Sequence, residues 1–219
     1  FDNMPNKGYH LTGKVTYTYP SGKWYTLFLS YKYERDYKSS HSFLYRLDQL
    51  DGWGEDSMEK LGSLPSMEAY QRMLDAPNSY HSRLYEDNHQ LDPFLNWQVK
   101  GAKGIWSGQF RMPVSYKTRT LRYHRGEVDT TFIKRTILLS IYSTYAKWRS
   151  NDKKKEFRIS YDVNSKAPDM NMYLNIRDTT DPLNITLGNL NLKNAYDHTV
   201  KSSLTRMYPK RQMLMGVEA

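Results

Sequence analysis

The sequence predicts an all-β chain: an antiparallel meander of long amphipathic strands forming part of a transmembrane β-barrel. Three observations predict it: apolar and polar residues alternate with period two, apolar groups are spread thinly among many tyrosines, and short turns alternate with long connections. Of 219 residues, 38% are hydrophobic and 19 are tyrosine. A conventional soluble core is richer in Leu, Ile and Val. The aromatic content of 14% also excludes a disordered chain. No run approaches the ~18 uncharged apolar residues of a helical span. A barrel wall has this composition because every second residue faces a polar lumen.

The alternation is clearest near the N-terminus. Tyr9, Leu11, Gly13, Val15, Tyr17 and Tyr19 stand against His10, Thr12, Lys14, Thr16 and Thr18. Pro20, Ser21, Gly22 and Lys23 supply turn chemistry. The next strand sets Tyr25, Leu27, Leu29, Tyr31 and Tyr33 against Thr26, Ser30, Lys32 and Glu34, with Trp24 and Phe28 as exceptions on the polar side. A helix would scatter Tyr25, Leu29 and Tyr33 around its circumference.

Further strands follow. Leu95, Trp97 and Val99 lead into a tight turn at Gly101–Gly104, after which Trp106, Gly108, Phe110 and Met112 alternate with Ser107, Gln109 and Arg111. Residues 131–148 place Ile133, Ile137, Leu139, Ile141 and Tyr145 on one face, though Leu138, Tyr142 and Trp148 soften the pattern. A polar turn at 150–155 precedes Phe157, Ile159, Tyr161 and Val163, and a strand near 196–207 leads to Tyr208, Pro209, Lys210 and Arg211.

Short turns are therefore expected near 20–23, 101–104, 149–154 and 208–211. Long loops are expected at about 37–90, 117–130 and 165–195. Strict alternation would put all short turns at one end of the sheet and all long loops at the other, the asymmetry of outer-membrane barrels. In the first long loop, Met67, Tyr70 and Leu74 sit at helical spacing between Pro65 and Pro77, predicting a short helix. The chain opens on Phe1 and closes on Gly216–Ala219, which reads as the start of another strand, so both ends are expected to be cut. All of 1–219 is expected to be one barrel segment.

The net charge of +9 raises nucleic acid, anionic lipid or acidic glycan as partners. Its basic runs are short, at 153–155 and 210–211, and a solvated turn explains each. Cysteine is absent, which excludes disulfides and thiolate metal sites. His10, His41, His81, His89, His124 and His198 show no metal spacing and read as polar-face or loop residues. Glu55 and Asp56 lack the ligand rhythm of a calcium loop. No phosphate-binding loop, nucleophile elbow or dinucleotide fingerprint occurs. No catalytic residue, metal or cofactor is predicted, and no ligand-binding residue is assigned. Tyr9, Tyr19, Trp24, Tyr25 and Trp106 suit an interfacial girdle; the alternative is cross-strand packing in a soluble core. The loop aromatics Trp53 and Tyr70 could stack on a sugar or peptide.

One stretch carries a family likeness. Phe157–Tyr161, Ser165–Met170, Asp181–Ile185, Leu187–Lys193 and Tyr196–His198 follow one another in order. The series resembles the C-terminal half of the barrel in TonB-dependent-receptor-like proteins, the group that includes SusC-type glycan importers. There a strand ending near Ala-Pro precedes an Asn-Pro-Leu element, a Gly-Asn-Pro-x-Leu-Lys-Pro element and a strand beginning near Ser-His-Asn. Leu190 and Asn194 stand where that pattern has proline, and Asp197 where serine is common, which relaxes the loop.

The resemblance implies a receptor or transporter in the outer membrane of a Gram-negative bacterium. It implies uptake of a nutrient such as a glycan or peptide, with a TonB-type energising protein and a surface lipoprotein as partners beside membrane lipid. Nucleic acid is not an expected partner on this reading. The competing expectation is a soluble β-rich binding module for glycan or nucleic acid, using basic charge and exposed aromatics.

Overall fold

The computed structural model describes residues 2–50, 66–174, 188–208 and 213–218. Its strands are β1 (Asp2–Asn3), β2 (Asn6–Gly22), β3 (Tyr25–Leu44), β4 (Tyr80–Gly101), β5 (Gly104–Arg111), β6 (Val114–Arg125), β7 (Val128–Leu139), β8 (Ile141–Ser150), β9 (Lys155–Lys166), β10 (Ala195–Tyr208) and β11 (Met213–Glu218). Helical structure among these residues is limited to α1 (Met67–Gln71) and two 3-10 turns, Leu47–Gln49 and Met170–Tyr173. The chain is all-β, and every described pairing is antiparallel.

Several strand segments are halves of one pass. β5 and β6 both lie along β4, with Gly101 opposite Gly104 and Tyr80 opposite Arg125. They divide at Met112–Pro113, across from Asp92–Pro93 of β4. Proline cannot donate to a ladder, so an interior strand tolerates it only at such an irregularity. β7 and β8 likewise form one pass, broken at Ser140, whose N–H donates to the Pro113 carbonyl at 3.1 Å. The path is thus an up-and-down meander of long passes: β1/β2, β3, β4, β5/β6, β7/β8, β9, β10 and β11. β2 and β11 each pair on one side only among the described residues, so the sheet is open and not closed into a barrel.

The connections partly follow the expected order. The turns after β2, β4, β8 and β10 share one end of the sheet. At the other end lie the connections after β3 and β9 and one more tight turn. That third connection corrects the sequence reading: 117–130 is not a long loop. It is the β6–β7 hairpin, turning at Gly126 with φ +56°. The first long loop is shorter than 37–90, because β3 runs to Leu44 and β4 begins at Tyr80. The third spans 167–194.

One face assignment also changes. Between Ile141 and Thr144 the β8–β9 register shifts, with Ser143 at φ 54° donating its N–H to an Asp162 carboxylate oxygen at 2.5 Å. This bulge turns Tyr145 onto the polar face, opposite Gln109 and Ser160. Trp148 goes to the apolar face, between Trp106 and Phe157. A bulge re-aims side chains in this way because one strand carries an extra residue.

Candidate functional site

The sheet has two unlike faces, and the apolar one is uncovered. Cross-strand register sets its rows. Val99, Trp106, Trp148, Phe157, Leu204 and Val217 form the row nearest the short turns. The next places Trp97 against Gly108, where an added Cβ would stand 2.5 Å from the indole, so glycine lets the ring lie flat across the neighbouring strand. Tyr19, Leu27, Leu95 and Phe110 follow, then Tyr17, Leu29 and Pro93, then Val15, Tyr31, Leu91 and Val114. These side chains face away from the protein: Val15 is 71% exposed, Tyr17 61%, Ile137 63% and Val217 71%.

Among the described residues 34 large hydrophobics are exposed, while six hydrophobic residues are buried. A water-soluble monomer rarely shows a contiguous apolar patch beyond a few hundred Å². This arrangement is the reverse of a dry core.

Aromatic residues bound the apolar rows. Trp24 meets Tyr25 edge-on at 4.7 Å at the short-turn end, near Trp97 and Trp106. Toward the other end, the tilted rings of Tyr9, Tyr37 and Tyr85 pack in a row across β2, β3 and β4 at 5.3 and 4.9 Å. From Val99 back to Tyr85 is about 48 Å along the strand, or about 34 Å at the usual ~45° tilt. The row before Tyr85 already carries Arg35, Asp87, Thr118 and Arg135, and beyond Tyr85 the same face is polar, with Lys7, Ser39, Arg83 and Arg122 in the next row.

The opposite face is charged and internally paired. Glu34 accepts from Lys32 at 2.6 Å and from the Asn88 amide at 2.9 Å. Lys117 reaches Glu86 at 2.7 Å, Arg111 holds Asp92 through two nitrogens, and Lys147 and Arg149 share Glu156 at 2.7 and 3.1 Å. Phe28, an apolar exception in the sequence pattern, packs on Phe94 at 5.5 Å on this face. Two grooves of about 1090 and 970 Å³ adjoin it near the short-turn end and share Tyr145. Their chemistry is polar, with Arg158, Ser160, Asp162 and Lys201 lining the second.

At the far end a strap covers the polar face. Ala167–Leu174 leaves β9, and Arg119, 4% exposed, donates to the Pro168 carbonyl at 2.6 Å. Met170, Tyr173 and Leu174 pack with Leu121 into a small buried cluster flanked by Leu84, Tyr123, Phe132 and Leu192. Lys134 lies over the Tyr173 ring at 4.8 Å. The Gly188–Lys193 element closes onto this strap: the Asn189 N–H donates to the Met172 carbonyl at 2.8 Å, and the Tyr173 hydroxyl to Leu192 at 3.4 Å.

The structure places the predicted candidates as follows. Tyr9, Tyr19 and Trp106 lie in the outward rows, with Tyr25 beside Trp97. Tyr70 of α1 packs edge-on against Tyr45 at 5.0 Å. Trp53, Glu55, Asp56, Asp181–Leu187, Lys210 and Arg211 lie outside the described residues. Two histidines, His89 and His198, correct the reading of all six as polar-face or loop residues. Only His10 faces the polar side, 2.7 Å from Asp36. His89 sits beside Tyr31 and Tyr33 on the apolar side, its Nδ1 2.8 Å from the Tyr31 hydroxyl, and His198 Nδ1 lies 2.9 Å from the Tyr161 hydroxyl. His41, His81 and His124, remote in sequence, align in one row across β3, β4 and β6. No group of three His, Asp or Glu suited to a metal occurs among the described residues.

Compared with known proteins, the chain matches no family model, no curated protein and no solved structure.

Proposed function

We propose that this chain is a wall segment of a nutrient receptor or transporter in the outer membrane of a Gram-negative bacterium. Its apolar face meets lipid and its charged face lines a lumen. The observation that carries the reading is the inverted polarity of the sheet: outward rows of exposed Leu, Ile, Val, Trp and Tyr against an inner face of paired charges. Backbone groups in lipid must all be hydrogen-bonded, so β2 and β11 require further strands beyond them to complete a wall. The aromatic rows at both margins fit the two interfaces, where an amphipathic ring sits partly in headgroups.

The reading assigns the chain no catalytic step. Passage of a glycan or peptide through the lumen, driven by a TonB-type partner and capped by a surface lipoprotein, rests on the likeness of the Phe157–His198 stretch. The strap anchored by Arg119 narrows the polar face at the end where ligand would enter.

Transfer from detergent to buffer tests the membrane reading. A lipid-facing sheet aggregates when detergent is diluted away. A soluble binding module for glycan or nucleic acid instead stays monomeric, with Tyr25, Leu27, Leu29 and Tyr31 protected from solvent. That outcome overturns the proposal.

A further inference from the structure

At the end of the sheet with the long connections, the outward face carries a basic patch that packing does not explain. Arg83 of β4 stands directly opposite Arg122 of β6, one row beyond Tyr85 and Thr120. Like charges placed directly across a strand pair are destabilising, so an uncompensated arginine pair is a poor choice for a sheet. Both residues are exposed, and neither joins an ion pair among the described residues. Asp87, four residues from Arg83 on the same face, is already occupied: it accepts from the Tyr33 hydroxyl at 2.6 Å and lies 3.6 Å from Arg35. Asp129 is exposed one row further out, opposite His124.

The neighbours hold the arginines outward. Arg83 Nε donates to His81 Nε2 at 3.1 Å, and the Arg122 guanidinium lies 6.0 Å from the centre of the Tyr85 ring. His81 stacks on His41 at 4.1 Å. Burial first, then the nearby His41, Arg83 and His124, hold the His81 pKa below its ordinary value. His81 therefore stays a neutral acceptor that orients Arg83. Beside this row lies a cavity of about 390 Å³ lined by Phe43, Leu74, Ala76, Pro77 and Tyr80.

We propose that Arg83 and Arg122 form an outward belt that binds the phosphate groups of an anionic lipid headgroup at the end of the sheet bearing the long connections. The proposal rests on the membrane-spanning reading. Under that reading, the belt lies just beyond the tyrosine row, at headgroup depth. Arginine suits the task because its planar fork meets phosphate oxygens through two hydrogen bonds at once. A phosphate placed between the two guanidinium groups also removes their mutual repulsion.

Vesicle flotation of the full chain tests it. One set of vesicles is phosphatidylcholine alone, and another replaces about one lipid in five with phosphatidic acid, enough to create an anionic surface. Wild type should prefer the anionic vesicles, and R83Q/R122Q should lose about thirty-fold of that preference while binding phosphatidylcholine equally well. R158Q/K201Q, which removes two cations from the opposite face, should keep it. If R83Q/R122Q retains the preference, the belt is overturned and the membrane reading stands. If wild type floats with neither vesicle, both are overturned. If millimolar inorganic phosphate abolishes the preference, the site takes free phosphate and the assignment to lipid fails.

Discussion

Arg119 shows how one residue ties the inner face to its strap. It is buried on a strand whose neighbouring positions carry Lys117 and Leu121, and its bond to the Pro168 carbonyl fixes where the chain turns back over the sheet. Its Nε and second terminal nitrogen have no partner among the described residues, so that one charge-assisted bond carries the anchoring. Arg119→Ala should cost about 2 kcal/mol, the usual worth of a hydrogen bond to a charged group. Limited proteolysis should then cut within 167–174 faster than in wild type.

Gly108 makes the opposite case, a residue needed for what it lacks. Gly108→Ala pushes a methyl into the Trp97 indole and should destabilise the sheet by about 1–2 kcal/mol through overpacking, read by denaturant unfolding of tryptophan fluorescence.

His81 supplies a pH dependence whose sign is fixed by its lowered pKa. The unfolded chain binds this proton more readily than the folded one. Stability at the row is therefore unchanged above the ordinary histidine pKa of about 6.5 and falls as pH drops through it toward the folded value. Hydrogen-exchange protection factors at Tyr80–Ser82, which are corrected for the intrinsic pH dependence of exchange, should fall as pH drops below about 6.5, and His81→Gln should flatten that fall.

At the level of elements, the hairpins differ in how their turns are built. Gly126 adopts φ +56°, and a Cβ there would come within 3.2 Å of the Pro77 carbonyl. Lys153 adopts φ +58° without being glycine, in a turn where Asp152 accepts from the Ser150 hydroxyl and the Lys154 N–H. Those two donors hold the Asp152 carboxyl below the ordinary carboxylate range. Gly126→Ala should destabilise its hairpin and Lys153→Gly should stabilise or spare its own, each by about 1 kcal/mol. Opposite shifts in the thermal midpoints check the pair.

Two hairpins, β2–β3 and β6–β7, show what the sequence could reveal. β2 and β3 were legible between Tyr9 and Tyr33, where each face keeps one environment, and β3 was lost beyond Arg35, where polar Ser39 and His41 take the outward positions up to Leu44. The β6–β7 hairpin was hidden because its polarity inverts along its length. Outward positions become Thr118, Thr120 and Arg122 beyond the apolar rows, while inward positions become Leu121, Tyr123 and Phe132 beneath the strap. A period-two count averages the two halves away. Gly126 was the remaining signal. The bulge at Ser140–Ser143 misled in a related way, since it moves Tyr145 and Trp148 to exchanged faces with no glycine or proline at the shift itself.

For the molecule as a whole, the sequence composition and the structure converge on a sheet that cannot hide its apolar side. Exposed Ile133, Ile137 and Val200 belong to the same surface as the tryptophan row, and no second layer covers them among the described residues. The region under the strap was less legible, because it draws residues from β6, β7, the 167–174 segment and the Gly188–Lys193 element. The alignment of His41, His81 and His124 was invisible for the same reason: register across three strands, unlike alternation within one, is not written locally.

The absence of cysteine makes the central claim directly measurable. Single cysteines at Leu27, Leu29, Leu91, Leu95 and Val99, and at Ser30, Asn96 and Gln98, can each carry a spin label in bilayer-reconstituted protein. If the apolar face meets lipid, the first group is relaxed by oxygen and the second by a water-soluble nickel complex, alternating residue by residue along β4. Relaxation of both groups by the nickel complex, or protection of the first group from both reagents, would contradict the account.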